Sequence, residues 1–362
     1  MKISKRKLIV MPEDGIQPLL KALRRARRSL EIKVFLFSEA RLVDALIEAH
    51  KRGVKIRVML NPARRSGESD NDVTYHILAD AGIDVRATHP DFQITHEKSM
   101  IIDEQVAYIK SLNWAPRNFA LTRDYAVLTT HPEEVAEVLA CFNVDCDRTS
   151  FEGNTDARLV WCPGNGRERI VRFIDRAEHS LFLQNERYQD MTVIEHLVRA
   201  GRRGVNVRLM SLPPHSLKGG KLPEGVNGLR VMEDVRIKIR KLKGLHLHAK
   251  MMFADGERAI VGSMNFAPGS FDERRELGIE VSDKRIIKRL GQVFARDGRN
   301  SHRMDLTDEG LLKDLEKHGR NDGCSLALYE GAKQESDRMK KPGIDPQEVR
   351  SNFMYTQVAA AN

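Results

Sequence analysis

Two stretches of the chain carry the same polar residues in the same order. His96, Lys98, Asp103, Ser111 and Asn113 recur as His248, Lys250, Asp255, Ser263 and Asn265. Residues two apart on an extended strand share a face, so each His-x-Lys sets an imidazole beside an ammonium. That pairing suits phosphorus chemistry. Lysine and asparagine donate to non-bridging phosphate oxygens, while a histidine either attacks phosphorus or protonates a leaving oxygen. An acid follows each histidine twenty-eight residues on, Asp124 after His96 and Glu276 after His248. A carboxylate on one ring nitrogen fixes the tautomer and frees the other nitrogen for chemistry, so each acid reads as the orienter of the histidine in its own copy. A single histidine is most often a satisfied structural residue, but that does not explain a whole set repeated in register.

The elements that must hold these residues are duplicated too. SLEIKVFLFSEARLVDALIEAHKRGVKIRVMLNP from Ser29 matches SLFLQNERYQDMTVIEHLVRAGRRGVNVRLMSLP from Ser180 at an offset of 151, and the segments from His96 and His248 match at 152. This is a tandem duplication with one small insertion. Each copy predicts a basic amphipathic helix (19–28; 170–178), an apolar strand (30–37; 181–184) and a second helix (41–51; 192–202). Gly53 or Gly204 then supplies a left-handed cap, and a β-branched run follows (54–60; 205–210). Strand, helix and strand on short connections imply a parallel crossover with helices covering the sheet. A hairpin comes next (99–102 with 105–109; 251–254 with 258–261), its turn marked by Asp255-Gly256 in the second copy, and then a closing helix (133–142; 284–294). The expected domains are 1–150 and 151–301, with a polar extension at 302–362 that has one helical stretch, 309–317, and mobile chain beyond 319.

Composition bounds the class. A chain of 362 residues, 41% hydrophobic and 31% charged, supports about two globular domains. Four cysteines form no CxxC pair and have no histidine at zinc-finger spacing, which predicts neither a disulfide framework nor structural zinc. No apolar run reaches the length of a membrane span and no signal peptide is read, so the expectation is a cytoplasmic protein with at most peripheral contact at the inner membrane surface. The net charge of +9 is concentrated between residues 151 and 301.

The doubled motif with its following Ser-x-Asn resembles the HxKx(4)D signature of the phospholipase D superfamily, over roughly residues 10–300. The resemblance implies an α/β fold: two tandem α/β/α sandwich domains with mixed sheets, related by a pseudo-twofold, with both motifs forming one active site. One of His96 and His248 is then the nucleophile that forms a covalent phosphohistidine and the other the general acid. His96 is the favoured nucleophile, as the first histidine more often is in two-motif members. Lys98, Lys250, Asn113 and Asn265 hold the phosphoryl oxygens, with Ser111 and Ser263 beside them. Asp103 and Asp255 are implied to be structural. No metal or cofactor is implied, and no oligomer is needed to complete the site. One departure stands out: the family's glycine before the serine, which allows close backbone approach to the phosphate and is here Gly262, is Lys110 in the first copy. A lysine there narrows the pocket, adds a third cation or marks a weakened half-site.

Substrate is less legible. The leading reading is transfer or hydrolysis on anionic phospholipids, similar to soluble cardiolipin synthases, with Arg24, Arg25, Arg27 and Arg28 as a cluster for an anionic surface or simply a solvated helix face. The alternative is a metal-independent endonuclease, for which Arg236, Lys238 and Arg240, alternating through 235–240 toward His248, would form a track for nucleic acid. An edge strand kept soluble by charge explains that alternation as well. His246 is a further candidate for substrate contact. A third class, a binding protein with an impaired site, rests on Lys110 alone.

Overall fold

The structure is a computed structural model and describes residues 5–62, 71–154, 158–217 and 221–318. The chain divides into two compact units. The larger, Met1–Leu212 with Gly228–Met304, contains both repeats; the smaller comprises Pro213–Asn227 and the residues from Asp305 onward. The helix expected at 309–317 is present as Asp308–Lys317, capped by the Thr307 side chain on the amide of Gly310. The tail beyond 319, read above as mobile, lies outside the described residues.

The duplication is repeated in the order of the strands. The first sheet runs Arg6–Met11, Thr122–Thr129, Val106–Lys110, Ser99–Ile102, Ser29–Val34, Lys55–Leu60, Asp84–Ala87. The second runs Leu159–Cys162, Arg274–Val281, Arg258–Gly262, Lys250–Ala254, Ser180–Asn185, Asn206–Met210, Lys238–Leu242, and ends with Ser301–Arg303. Both sheets are mixed. Ser29–Val34 and Ser180–Asn185 pair in parallel with the strand after their crossover helix and antiparallel with the strand after the His-x-Lys.

Local sequence explains the crossovers. Asp190 accepts from the amide of Val193 to start Met191–Arg202, and Glu39 accepts from Arg41 to start Ala40–Lys51. Both helices are followed by a glycine at φ +89°, Gly53 and Gly204, a conformation that a side chain would strain. Leu42, Leu46 and Ala49 on one helix, and Val193, Leu197 and Ala200 on the other, form the buried stripe against the sheet.

Two expectations fail here for physical reasons. The strand placed at 235–240 begins only at Lys238, because the helix Lys221–Asp234 runs up to it and Arg236 turns the chain at φ +66°. Lys238–Leu242 is also no edge strand, since Asn206–Met210 and Ser301–Arg303 flank it. The second concerns Gly262, attributed above to close approach of a phosphate. A Cβ there would lie 2.6 Å from the Cα of Gly278 and 2.7 Å from the carbonyl oxygen of Leu277, so glycine is required by the neighbouring strand. In the first copy the same register sets Lys110 opposite Ala126.

Candidate active site

Each His-x-Lys is delivered by a short strand that leaves its own half. Ile94–Thr95 pairs in parallel with Arg274–Val281 of the second sheet, and the amide of His96 donates to the carbonyl of Arg275 at 2.9 Å. His246–Leu247 pairs in parallel with Thr122–Thr129 of the first sheet, and the amide of His248 donates to the carbonyl of Arg123 at 3.2 Å. The acids expected to orient the histidines of their own copy therefore serve the opposite ones. His96 Nδ1 meets Glu276 Oε2 at 2.9 Å, and His248 Nδ1 meets Asp124 Oδ1 at 2.8 Å. The same two acids meet the two histidines, with their partners exchanged. Sequence distance sets which acid belongs to which copy, whereas pairing of the short strands sets which acid a ring can reach.

Buried ion pairs hold the exchange in place. Arg275, next to Glu276, makes two hydrogen bonds to Asp145 of the first half, at 2.9 and 3.2 Å. Arg123, next to Asp124, makes two to Asp297 of the second, both at 2.8 Å. Asp145 also accepts from Lys33 at 2.6 Å, and Asp297 from Gln184 at 2.7 Å, Lys33 and Gln184 being equivalent positions in the duplication. Glu97 meets Lys33 as well, at 3.2 Å, while Glu13 meets Arg123.

The two histidine couples differ electrostatically. Burial, with Lys98, Lys250 and Arg274 adding to it, pushes His96 well below the ordinary 6.5. Burial also pushes Glu276 up to about 7 against the pull of Lys98. The His96 couple therefore sits where its carboxyl titrates and its ring is neutral. Around His248 burial opposes the charge on Asp124, yet His248, Lys250 and the Ser111 hydroxyl together hold that carboxyl below its ordinary range. Asp124 also accepts from Thr122 at 2.6 Å and Asn118 at 3.2 Å, so four neighbours share its oxygens. Among the described residues neither ring's Nε2 has a hydrogen-bond partner, and both histidines retain a sliver of exposure, 7% and 8%.

The lysines and asparagines lie against these rings. Lys98 donates to the carbonyl of His96 and Lys250 to that of His248, and burial brings Lys98 down to about 7 despite Glu276. The field on Lys98 includes Lys250, Glu186 and Asp124, which places groups of both halves around one centre. Asn113 and Asn265 are buried, and in each the side-chain oxygen has no hydrogen-bond partner among the described residues. The unpaired atom is the acceptor oxygen in both copies. Ser111 bonds Asp124, while Ser263 turns its hydroxyl toward the Leu277 carbonyl.

Other candidates lie elsewhere. The carboxylates of Asp103 and Asp255 accept the backbone amides of Arg27, Arg28 and Ser29, and of Glu178, His179 and Ser180, fixing the chain where each central strand starts. Lys110 is fully buried with its amine 5.0 Å over the Trp114 ring and no hydrogen-bond partner among the described residues, and Glu97 is the acid it faces, so it adds no third cation to the histidine centre. The expected basic track is not built: Arg236 is off the strand, Lys238 is exposed, and Arg240 is bound to Ser301 through its side-chain and backbone oxygens at 2.6 and 2.7 Å. His246 is exposed on the short exchanged strand. Sequence reasoning missed Glu186, whose Oε2 accepts from Lys250 at 2.6 Å. Its equivalent, Phe35, puts its ring 5.2 Å from the His96 ring and 5.2 Å from the Lys98 ammonium. The alignment of the two copies held that signal, as the position where an aromatic residue faces an acid.

Residues 19–146 and 170–298 match the family described as "Cardiolipin synthase, PLD-like domain". The chain belongs to this family, and so to the phospholipase D superfamily. Among curated relatives, polyphosphate kinase of Vibrio vulnificus (strain CMCP6) is 25% identical over 339 residues, covering 88% of this chain and 47% of that protein. Cardiolipin synthase B of Salmonella typhimurium (strain LT2) is 23% identical over 331 residues, 78% of each chain. The chain thus spans about half the length of the polyphosphate kinases it matches. The crystal structure of phosphatidylserine synthase from Haemophilus influenzae Rd KW20 has the same fold, with a TM-score of 0.67 at 11% identity over 90% of this chain and 95% of that one. The superfamily's members among these relatives are phosphotransferases and phosphodiesterases. Among the described residues of this phospholipase D superfamily protein, no helix is long and apolar enough to cross a membrane.

Proposed function

We propose that the protein transfers or hydrolyses a phosphodiester through a phosphohistidine on His96. The observation that carries this reading is the exchanged pair of histidine couples, each ring fixed through Nδ1 by an acid of the other half and each Nε2 left open. A neutral imidazole whose Nδ1–H is held by a carboxylate keeps a lone pair on Nε2, and His96 is the ring that burial and its cationic neighbours hold neutral. His248 lies beside Asp124 and near Glu186, both held ionised, an environment suited to a ring that carries a proton for a leaving group. His96 Nε2 attacks phosphorus, the bond to the leaving oxygen breaks, and that oxygen takes the proton of His248. Water or an alcohol then gives its proton to His248 and attacks the same phosphorus, breaking the phosphorus–nitrogen bond and restoring His96. Lys98 and Lys250, with the amide nitrogens of Asn113 and Asn265, donate to the non-bridging oxygens throughout.

The substrate we infer is a phospholipid headgroup phosphodiester. Support comes from the family match over both repeats and from cardiolipin synthase B, which is covered in the same high proportion as this chain, unlike the polyphosphate kinases. Membrane contact, on this reading, is peripheral. The test is to incubate purified protein with phosphatidylglycerol vesicles, with single- and double-stranded DNA and RNA, and with polyphosphate plus ADP, each with and without EDTA. Cardiolipin or phosphatidic acid is the expected product. Shortened nucleic acid, or polyphosphate consumed with ATP formed, in the absence of any lipid product would overturn the lipid assignment.

A further inference from the structure

The positions that follow the two central strands, Phe35 after Ser29–Val34 and Glu186 after Ser180–Asn185, break the symmetry of the site in charge. Lys98 meets an aromatic ring at 5.2 Å, whereas Lys250 meets a carboxylate at 2.6 Å. Burial works against the charge on Glu186, but Lys250, His248 and Arg187 hold it well below the ordinary carboxylate range. Only one of its oxygens is used. Among the described residues Oε1 takes no hydrogen bond, and the side chain is 13% exposed where those of Asp124 and Glu276 are sealed at 0%. An ionised carboxylate with an open oxygen therefore stands on the His248 side of the centre.

A carboxylate beside a phosphate-binding lysine is unsuited to holding phosphate, because like charges repel and the lysine is partly neutralised. It is well suited to a hydroxyl donor, since bonds to charged acceptors are the stronger ones. The group that visits this side is the alcohol, which leaves from His248 in the first step and enters there in the second. We propose that Glu186 is a specificity residue that accepts a hydrogen bond from a second hydroxyl of that alcohol, selecting a polyol over a simple alcohol. This inference rests on the phosphohistidine reading above.

The test is a partition experiment. A phosphatidyl ester of 4-nitrophenol forms the intermediate and reports it by nitrophenol release, and glycerol and propan-1-ol compete for it at equal concentration. The ratio of the two phosphatidyl alcohols is insensitive to the fraction of folded enzyme, so partial loss of a variant does not disturb the readout. Wild type should favour glycerol by about ten- to hundredfold, the worth of one hydrogen bond to a charged group. Glu186→Gln and Glu186→Ala should bring the ratio close to one, and Glu186→Asp should restore part of it. An unchanged ratio in both Gln and Ala variants, or nitrophenol release with neither alcohol captured, overturns the role of Glu186 and leaves the phosphohistidine intact. No nitrophenol release by wild type removes the phosphohistidine reading and this inference with it.

Discussion

Asp145→Asn and its equivalent Asp297→Asn test the exchange directly, because they remove matching charges from unequal surroundings. Asp145 is 1% exposed and receives Lys33 and both arms of the Arg275 fork. Its neutralisation leaves two buried cations with Glu97 as the remaining acid. Breaking a buried pair by removing one partner costs about 3–5 kcal/mol. At roughly 2 °C per kcal/mol for a unit of this size, the thermal midpoint should fall by about 6–10 °C. Asp297→Asn leaves one buried cation, Arg123, which still has Glu13 at 2.6 Å, and a neutral glutamine, so its loss should be nearer the 1.5–3 kcal/mol of a charged hydrogen bond, about 3–6 °C. Asp145 also fixes Arg275, the neighbour of Glu276, so turnover should fall more steeply in Asp145→Asn than stability alone explains. Thermal and urea unfolding, with phosphodiester turnover measured well below each midpoint, provide the comparison. Equal or reversed losses in the two variants would refute the argument that unequal pairing sets the cost.

Further outcomes follow from the site. His96→Ala and His248→Ala should each lower turnover by at least about a thousandfold, as groups acting as a unit do, and only the wild type and variants retaining His96 should carry substrate phosphorus after a quench in neutral detergent, which spares the acid-labile phosphorus–nitrogen bond. Turnover should fall as pH drops through about 7, where Glu276 takes up a proton, and a pH–rate profile of Glu276→Gln should lack that limb. Because this carboxyl is raised in the folded state, wild-type stability should decline between pH 4.5 and 7, and urea unfolding of Glu276→Gln across that range should be flatter. Lys110→Met removes a buried amine with no hydrogen-bond partner among the described residues and should stabilise by about 1–3 kcal/mol; since burial lowers that amine to about 7, calorimetry should find a larger gain at pH 6 than at pH 9. Residues 1–150 and 151–301 expressed apart should show no turnover, and mixing them should restore it, because each histidine's acid lies on the other piece.

Much of this was legible in the repeated letters. The His-x-Lys pairs, the acids and the central strand, helix and strand of each copy could be read because periodicity and spacing are local properties. The strands that bear the acids, Thr122–Thr129 and Arg274–Val281, were not. Their sequences mix Arg123, Asp124, Arg275 and Glu276 with apolar residues, and these charges are buried only because partners arrive from the opposite half. Propensity sees no such partner. The exchange of acids was hidden for the same reason, as two short strands of two residues each decide it. Arg236 misled the reading because alternation of charge resembles a strand even where the chain is turning after a helix.

The crossed acids have a consequence for how this chain can vary. A substitution at Glu276 is felt first at His96, in the other copy, so neither repeat can drift alone without disturbing its sibling's chemistry. A single duplicated chain, unlike a pair of identical subunits with the same exchange, can nonetheless set aspartate against glutamate at the acids and phenylalanine against glutamate beside the lysines. Covalent fusion is what lets two mutually dependent copies acquire different trades.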